Sequence, residues 1–524
     1  MFKTCLFLML TLFSTLSYSA VTYKNSIVFI ENNIDNEYFI TPRATDPRFS
    51  GANVFTKYSA TSQLSLGYMG YVGSIPLYNY FDIWLENSPI KMPFIGNRCW
   101  RTYKDCPADS VQRPEQILND GMYRAYMNTH GGEAGIPRGI FSDSFYQYMR
   151  QLPVGAIELF NYFSCYTKND YNPALGQTCR SVKGTVYEQS FAITKDGHIK
   201  LKSTNALQEI FVDSEGNAIL GLGSKFCDLG KDEVICKMVD YHFSGTAFPA
   251  MYLSMKVDTT TLKFTPAATD IYLSAAGAPP LYYYSYTTSV PLLMKTGDGG
   301  VYVHFKKSFL KKLISNNVDL SKSQNLFTFS FTNTAVPQSG FYEFTPSNTI
   351  IIKPRDYGVS IVSKDLVNKP YREGKVGDKA PPLIFDYTIT TSAFRQADKI
   401  TASVEGPTQM IRGIPYCIFA SKDKKMHVPF SAYLSYTSQN GQKISARSAC
   451  NNAPVDLKDA LWTQTTWPHP YHLDGSFYRT DLQLSFPMNE GTSLFSLEGE
   501  DWLGVVEASG YVNVFAEWTG PDIH

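Results

Sequence analysis

Short runs in which apolar and polar residues alternate, closed off by Gly, Pro, Asn or Asp, recur along the whole of this 524-residue chain. Alternation with period two is what a half-buried β-strand needs, because successive side chains leave opposite faces of a pleated sheet. Ile27–Ile30 (IVFI), Phe327–Phe331 (FTFSF), Thr349–Ile352 (TIII), Val359–Val362 (VSIV) and Asp481–Phe486 (DLQLSF) have this form. The pairs Asp298-Gly299, Asn440-Gly441 and Asp474-Gly475 read as turns between candidate strands. With 35 tyrosines and 34 phenylalanines, the composition also favours strand over helix. One hydrophobic core does not grow to this length, so two to four domains are expected, and strands at this spacing predict stacked β-sandwiches.

Only two segments carry a clear helical period. Ser142 to Leu152 (SDSFYQYMRQL) has a capping serine and places Phe145, Tyr148, Met149 and Leu152 on one face. Lys306 to Ile314 (KKSFLKKLI) sets Phe309, Leu310, Leu313 and Ile314 against four lysines. Its shortness makes it a surface helix of a β domain rather than a membrane-surface helix. Both helices share the pattern F-x-x-S-F, from Phe141 and from Phe305, and an alternating aromatic strand follows each. A fainter third copy runs from Leu457 to Trp462. Three units of about 165 residues would fill the chain. Pro354 cannot donate a ladder hydrogen bond, which marks a boundary near Lys353–Asp356, and Lys195-Asp-Gly-His198 reads as a turn at a lesser one. The expected divisions are 20–194, 195–352 and 353–524.

The N-terminus has the form of an export signal. Lys3 precedes the apolar core Cys5–Leu12 (CLFLMLTL), which is too short to span a membrane, and small residues follow. Cleavage is expected after Ser19, giving a signal peptide 1–19, or after Ala20. The remaining cysteines fall into four neighbouring couples, Cys99 and Cys106, Cys165 and Cys179, Cys227 and Cys236, Cys417 and Cys450. Eight cysteines allow roughly a hundred pairings, and proximity selects these four. No couple has C-x-x-C spacing, so structural disulfides in an oxidising compartment are expected rather than a metal site. Forty-seven basic residues balance forty-seven acidic ones, which argues against nucleic-acid binding.

Motifs of catalysis are missing from the sequence. It contains no G-x-S-x-G, H-E-x-x-H or Walker pattern. Thr129–Glu133 (THGGE) lacks the strand–helix setting of a phosphate cradle, and Pro470 disrupts His469–His472 as a metal-ligating helix. A Ser-His-Asp set assembled in space leaves no linear trace. No enzyme activity, cofactor or metal is expected.

Long segments do resemble one family. Phe29 to Pro42 (FIENNIDNEYFITP), Phe81 to Pro89 (FDIWLENSP), Phe141 to Gly155 (FSDSFYQYMRQLPVG), Phe341 to Asp356 (FYEFTPSNTIIIKPRD) and Gly413 to Cys417 (GIPYC) are similar to tip adhesins of the enterobacterial common pilus, the EcpD family. The resemblance runs from about Val28 to Trp518 and includes the spacing of all eight cysteines. It implies two or three immunoglobulin-like sandwiches, a long adhesive N-terminal part and a last, pilin-like domain lacking its final strand. It further implies export through the periplasm to the fimbrial tip, host-cell attachment and early biofilm formation. The partners would be a periplasmic chaperone, an outer-membrane usher, the major pilin subunit and a host-cell receptor, with self-polymerisation as a variant. No receptor-contact residue carries over.

A pilin domain without its last strand has an unpaired edge that another subunit's strand completes. Tyr511–Trp518 (YVNVFAEW) suits that edge, with Val512, Val514, Ala516 and Trp518 on one side. Ser26–Glu31 (SIVFIE) is expected as the first strand of the N-terminal domain rather than as a donor strand. Aromatic residues are the receptor candidates: Tyr282, Tyr284 and Tyr286 on one strand face, and Trp100 and Tyr103 in the Cys99–Cys106 turn. Core packing and a plain hairpin are the competing readings of these.

Overall fold

The computed structural model describes residues 22–43, 48–54, 66–70, 73–98, 111–127, 136–204, 206–246, 251–275, 282–283, 290–291, 296–316, 318–320, 326–333, 341–467 and 475–520. It is mostly β, and its longest described helices are Asp143–Gln151 and Lys307–Ser315. No described helix is long and apolar enough to cross a membrane.

Both helices stand where their periodicity puts them. Ser142 Oγ accepts the Phe145 N–H at 3.2 Å, and Phe145, Tyr146 and Met149 are buried. The other end of this helix is closed by the fully buried Lys195, whose ammonium donates to the carbonyls of Met149, Arg150 and Leu152 at 2.8, 3.1 and 2.7 Å. A cation there complements the helix dipole, while burial pulls the Lys195 ammonium down to about 8. The second helix buries Phe309, Leu310 and Leu313, and two of its lysines pair with carboxylates, Lys311 with the exposed Glu215 and Lys312 with the buried Asp270, each at 2.7 Å. The third helical copy is not formed: Leu457–Leu461 makes a turn, and Ala460 bridges to Ser438.

The strand Thr185–Lys202 joins the first two parts of the chain. Its first half pairs with Ile157–Thr167, its second half with Glu233–Gly245, and the first strand, Thr22–Asn32, runs parallel to it over most of its length. Alternation then distributes the side chains between two cores. Ile27, Phe29, Phe191 and Ile193 enter one; Val28, Ile30, Ile199 and Leu201 enter the other. The turn expected at 195–198 is therefore corrected to continuous strand, and Asp196 is accommodated by a bulge opposite Ile27 and Val28. Apolar flanks that need burial on both sides outweigh the Asp-Gly turn preference. The same holds at Asp298-Gly299, which lies within the strand Gly297–Lys306 opposite His242 and Tyr241. Asn440-Gly441 does turn, closed by the Gly441 N–H to Ser438.

A buried carboxylate fastens this junction. Glu31 accepts from Arg150 at 2.7 Å and lies 2.9 Å from His198 Nε2, with Lys200 at 3.9 Å. Burial opposes the Glu31 charge, yet Arg150, His198 and Lys200 together hold its pKa below the usual value.

Asn348–Pro354 pairs in parallel with Ala206–Val212 and ends at the proline; Gly358–Ser363 then opens the last part of the chain. There, several sheets enclose a third core built on Ile389, Ile400, Val404, Val428, Leu434 and Leu482. Phe211 and Ile219 from the middle part pack against Trp467 and Phe477 from the last. Within that seam Arg355 is 1% exposed, 3.2 Å from Asp213 and 4.4 Å from the Trp467 ring centroid.

Candidate functional site

The strand Tyr511–Glu517 pairs antiparallel with Lys399–Glu405 and forms the outer strand of its sheet among the described residues. Val512, Val514 and Ala516 point at the third core but remain half-buried, while Tyr511 and Phe515 face outward, 72% and 55% exposed. Trp518 follows the strand, its indole N–H donating to the Arg395 carbonyl at 3.0 Å and its ring against Tyr357.

A second free edge lies close by. Among the described residues Gly358–Ser363 is the outer strand of the neighbouring sheet, paired with Leu383–Ala393, and passes within 8 Å of the terminal strand without a ladder between them. Ile361, Leu383, Phe385 and Tyr387 are half-buried along that side. An outer strand with half-covered apolar side chains beside it can accept an extended segment, whose backbone pairs with that edge and whose alternate side chains cover the apolar row.

At the other end of the chain, the strand Thr22–Asn32 is bonded on one side along its length and on both sides over Ile27–Asn32, where Ile27–Ile30 are buried. It is a strand of the fold, as expected from its sequence.

The structure joins Cys165 to Cys179, Cys227 to Cys236 and Cys417 to Cys450. Cys99 and Cys106 lie outside the described residues, as do Trp100, Tyr103, Tyr284, Tyr286, Thr129–Glu133 and His469–Asp474. Tyr282 falls in a two-residue strand opposite Leu273. Among the described residues no group of three His, Cys, Asp or Glu is placed to hold a metal.

The Cys165–Cys179 couple marked a tied loop, but not its place: 168–184 lies over the outer face of Asn79–Glu86. Asp82 anchors it: the carboxylate accepts the Cys179 N–H at 2.7 Å, the Arg124 N–H at 2.8 Å and the Tyr171 hydroxyl. Burial outweighs these donors and raises the Asp82 pKa. Beside the loop a cleft of about 360 Å³ opens between Trp84, Tyr123 and Arg180. Period two could have placed Asp82, Trp84 and Glu86 on one face, but nothing local shows which loop covers that face.

Ser274, His304 and Glu233 also come together. Ser274 Oγ is 2.9 Å from His304 Nε2, and Glu233 is 3.4 Å from His304 Nδ1. Ser274 is only 1% exposed, so no substrate carbonyl reaches its hydroxyl, and the set works as buried polar packing between strands.

Three family models match the chain in succession: the N-terminal domain of the E. coli common pilus adhesin EcpD over residues 16–199, its middle domain over 203–349 and the EcpD C-terminal domain over 356–516. The fimbria adhesins EcpD of Escherichia coli O157:H7 and of E. coli strain K12 are each 36% identical over 513 residues, covering 94% of this chain and 92% of theirs. Among solved structures, the CsuC–CsuE chaperone–tip adhesion subunit complex from Csu pili of Acinetobacter baumannii has a chain that aligns at TM-score 0.19 and 8% identity, over 60% of this chain and 99% of that one. CfaE, the adhesive subunit of CFA/I fimbria of enterotoxigenic E. coli, aligns at 0.17 and 8%, over 62% and 87%. Likenesses this slight carry no argument.

Proposed function

The chain belongs to the EcpD family of fimbrial adhesins, and from that premise we propose that it is the tip adhesin of a chaperone–usher fimbria, completed by strand addition at its C-terminal domain. In this reading residues 1–19 are the signal peptide, 20–194 and 195–352 form the adhesive region, and 353–524 are the pilin-like domain. The chain crosses the periplasm held by a chaperone, passes an outer-membrane usher and meets the major pilin at the fibre tip. It attaches the cell to a host receptor and supports early biofilm formation.

The observation that carries the assembly step is that Gly358–Ser363 and Tyr511–Glu517 are outer strands among the described residues, with Val512, Val514 and Ala516 half-covered over the third core. An apolar row left in that state favours any strand that covers it, at about 25 cal/mol per Å² of apolar surface removed from water. The Ile27–Asn32 part of the first strand is already bonded on both sides. That favours a subunit that accepts a strand over one that polymerises by donating one.

The isolated fragment 353–524 is expected to melt without cooperativity until a peptide from the N-terminus of the major pilin is added. A sharp cooperative melt of the fragment alone overturns the reading. A purely structural initiator of the fibre is the second reading, and binding of the 20–352 region to host cells separates the two.

A further inference from the structure

The strand Leu383–Ala393, in the last part of the chain, is covered unevenly along its outer edge. Gly358–Ser363 pairs with it from Ser392 back to Tyr387 and stops there. Among the described residues, no strand lies beside Leu383–Asp386 on that side. Burial follows the same division: Ile389 to Ala393 are buried, whereas Leu383, Phe385 and Tyr387 remain half-buried over the third core. An edge in that condition pairs with an extended chain that reaches it.

The segment 364–382 lies over this edge without forming a ladder with it. Two carbonyls of the edge are taken: the Lys364 N–H donates to Asp386 at 2.8 Å, and Arg372 Nε donates to Ile384 at 2.9 Å. The Arg372 guanidinium is itself fixed. It donates to the Tyr371 carbonyl at 2.9 Å and to Asp365 at 2.6 Å, and lies 5.5 Å from the Phe385 ring centroid. Further on, the Gly377 N–H donates to the Met488 carbonyl at 2.9 Å, and Val376 and Ala380 rest on the third core. The root of the segment is bonded to the middle part of the chain, the Leu366 carbonyl accepting the Leu207 N–H at 3.1 Å. Beyond that root, Pro370, Pro381 and Pro382 have no N–H to offer a ladder, and the segment carries five basic residues against three acidic. Lysine and proline are residues that keep a sheet edge from pairing indiscriminately.

We propose that 364–382 is a displaceable strap latched by Arg372, and that an incoming strand lifts it and pairs with Leu383–Asp386 where Gly358–Ser363 leaves off. The proposal rests on the strand-addition reading and adds to it a place and an order of events. The strap must leave first, because the backbone of an incoming strand needs the Ile384 carbonyl that Arg372 occupies. The exchange is favoured once made: one side-chain bond gives way to backbone pairing, and Leu383 and Phe385 lose part of their contact with water. Until then Arg372 keeps the unassembled subunit from pairing at this edge with copies of itself.

The test uses the full chain and a peptide from the N-terminus of the major pilin, with backbone hydrogen exchange read in the strap and along the edge. When the peptide is added to the native protein, exchange at Gly377 is expected to quicken about tenfold, and exchange at Ile384 and Asp386 to slow about tenfold. In Arg372→Ala the Gly377 amide is expected to quicken about tenfold without peptide, and the peptide to associate about threefold faster. Arg372→Lys keeps the charge but not the forked bonds, so it should fall between, and it carries the test if the alanine variant does not fold. Lys369→Ala, at an exposed strap position, should match the native protein in both readings. Peptide binding with exchange at Gly377 unchanged, or without protection of Ile384 and Asp386, overturns the proposal and leaves strand addition standing. An Arg372→Ala protein whose strap exchanges at the native rate overturns it as well. Failure of the peptide to bind either protein, with the strap loosened in the variant, removes strand addition at this domain and leaves Arg372 as the latch of a closed edge.

Discussion

Replacing Arg355 by methionine tests whether the middle and last parts of the chain are held together by the buried charge at their seam. Methionine keeps most of the stem volume and removes the cation. In the native seam the guanidinium is 3.2 Å from Asp213, 3.1 Å from Asp356 and 4.4 Å from the Trp467 ring. Removing one partner of a buried pair costs about 3–5 kcal/mol, because the other charge stays buried. Asp213 also accepts from the N–H of Glu215 at 2.9 Å, the N–H of Asn217 at 2.8 Å and the Asn217 side chain at 2.9 Å, so its charge is not left bare. That places Arg355→Met near the lower end, about 3 kcal/mol, or roughly a hundredfold in the opening equilibrium. The reporter is the backbone amide at position 355, bonded to the Val212 carbonyl at 2.8 Å. Its hydrogen exchange is expected to quicken about a hundredfold, while amides of the first core, such as those of Phe29 and Phe191, keep their rates. Acceleration of less than about threefold, or equal acceleration in the first core, refutes the reasoning. The Arg355→Met, Asp213→Asn pair should then cost less than the sum of the single changes by about 1–3 kcal/mol.

Two further predictions concern the N-terminal half. Cys165→Ser with Cys179→Ser opens a loop of 14 residues, which is expected to cost about 3 kcal/mol in urea unfolding and to expose the loop 168–184 to protease. His198 is buried and neutral, its pKa lowered to about 4 by burial first and by Lys195 next, against the pull of Glu31. A histidine whose folded pKa lies below its unfolded value weakens the fold as pH falls. Stability should therefore rise between about pH 4 and 6.5, by on the order of 3 kcal/mol, and His198→Gln should flatten that slope. Glu31 acts in the same direction at lower pH, since its lowered pKa contributes stability that is lost only on acidification below its usual range. An unchanged urea midpoint across the upper window would rule out the buried neutral histidine.

Much of this was written locally. Period two placed Ile27–Ile30, Phe327–Phe331 and Val359–Val362 on strands, and Ser142 with the spacing of Phe145 and Met149 placed a helix. The family was legible as well, because long segments such as Phe81 to Pro89 and Phe141 to Gly155 resemble it, and its N-terminal domain matches residues 16–199. Alternation also named Val512, Val514 and Ala516 as one face of a strand. What no local pattern held was the choice of neighbours. The chain reads 195–198 as a turn, yet Thr185–Lys202 runs straight through because both of its flanks have cores to fill. The cleft at Trp84 exists only because a loop some ninety residues further along folds over it, fastened by Asp82 and a disulfide. The openness of the last domain is likewise a statement about which edges lack a partner. Periodicity is a property of successive residues, fixed by backbone geometry; pairing, burial and empty edges are properties of distant segments, decided only when the whole chain competes for the same contacts.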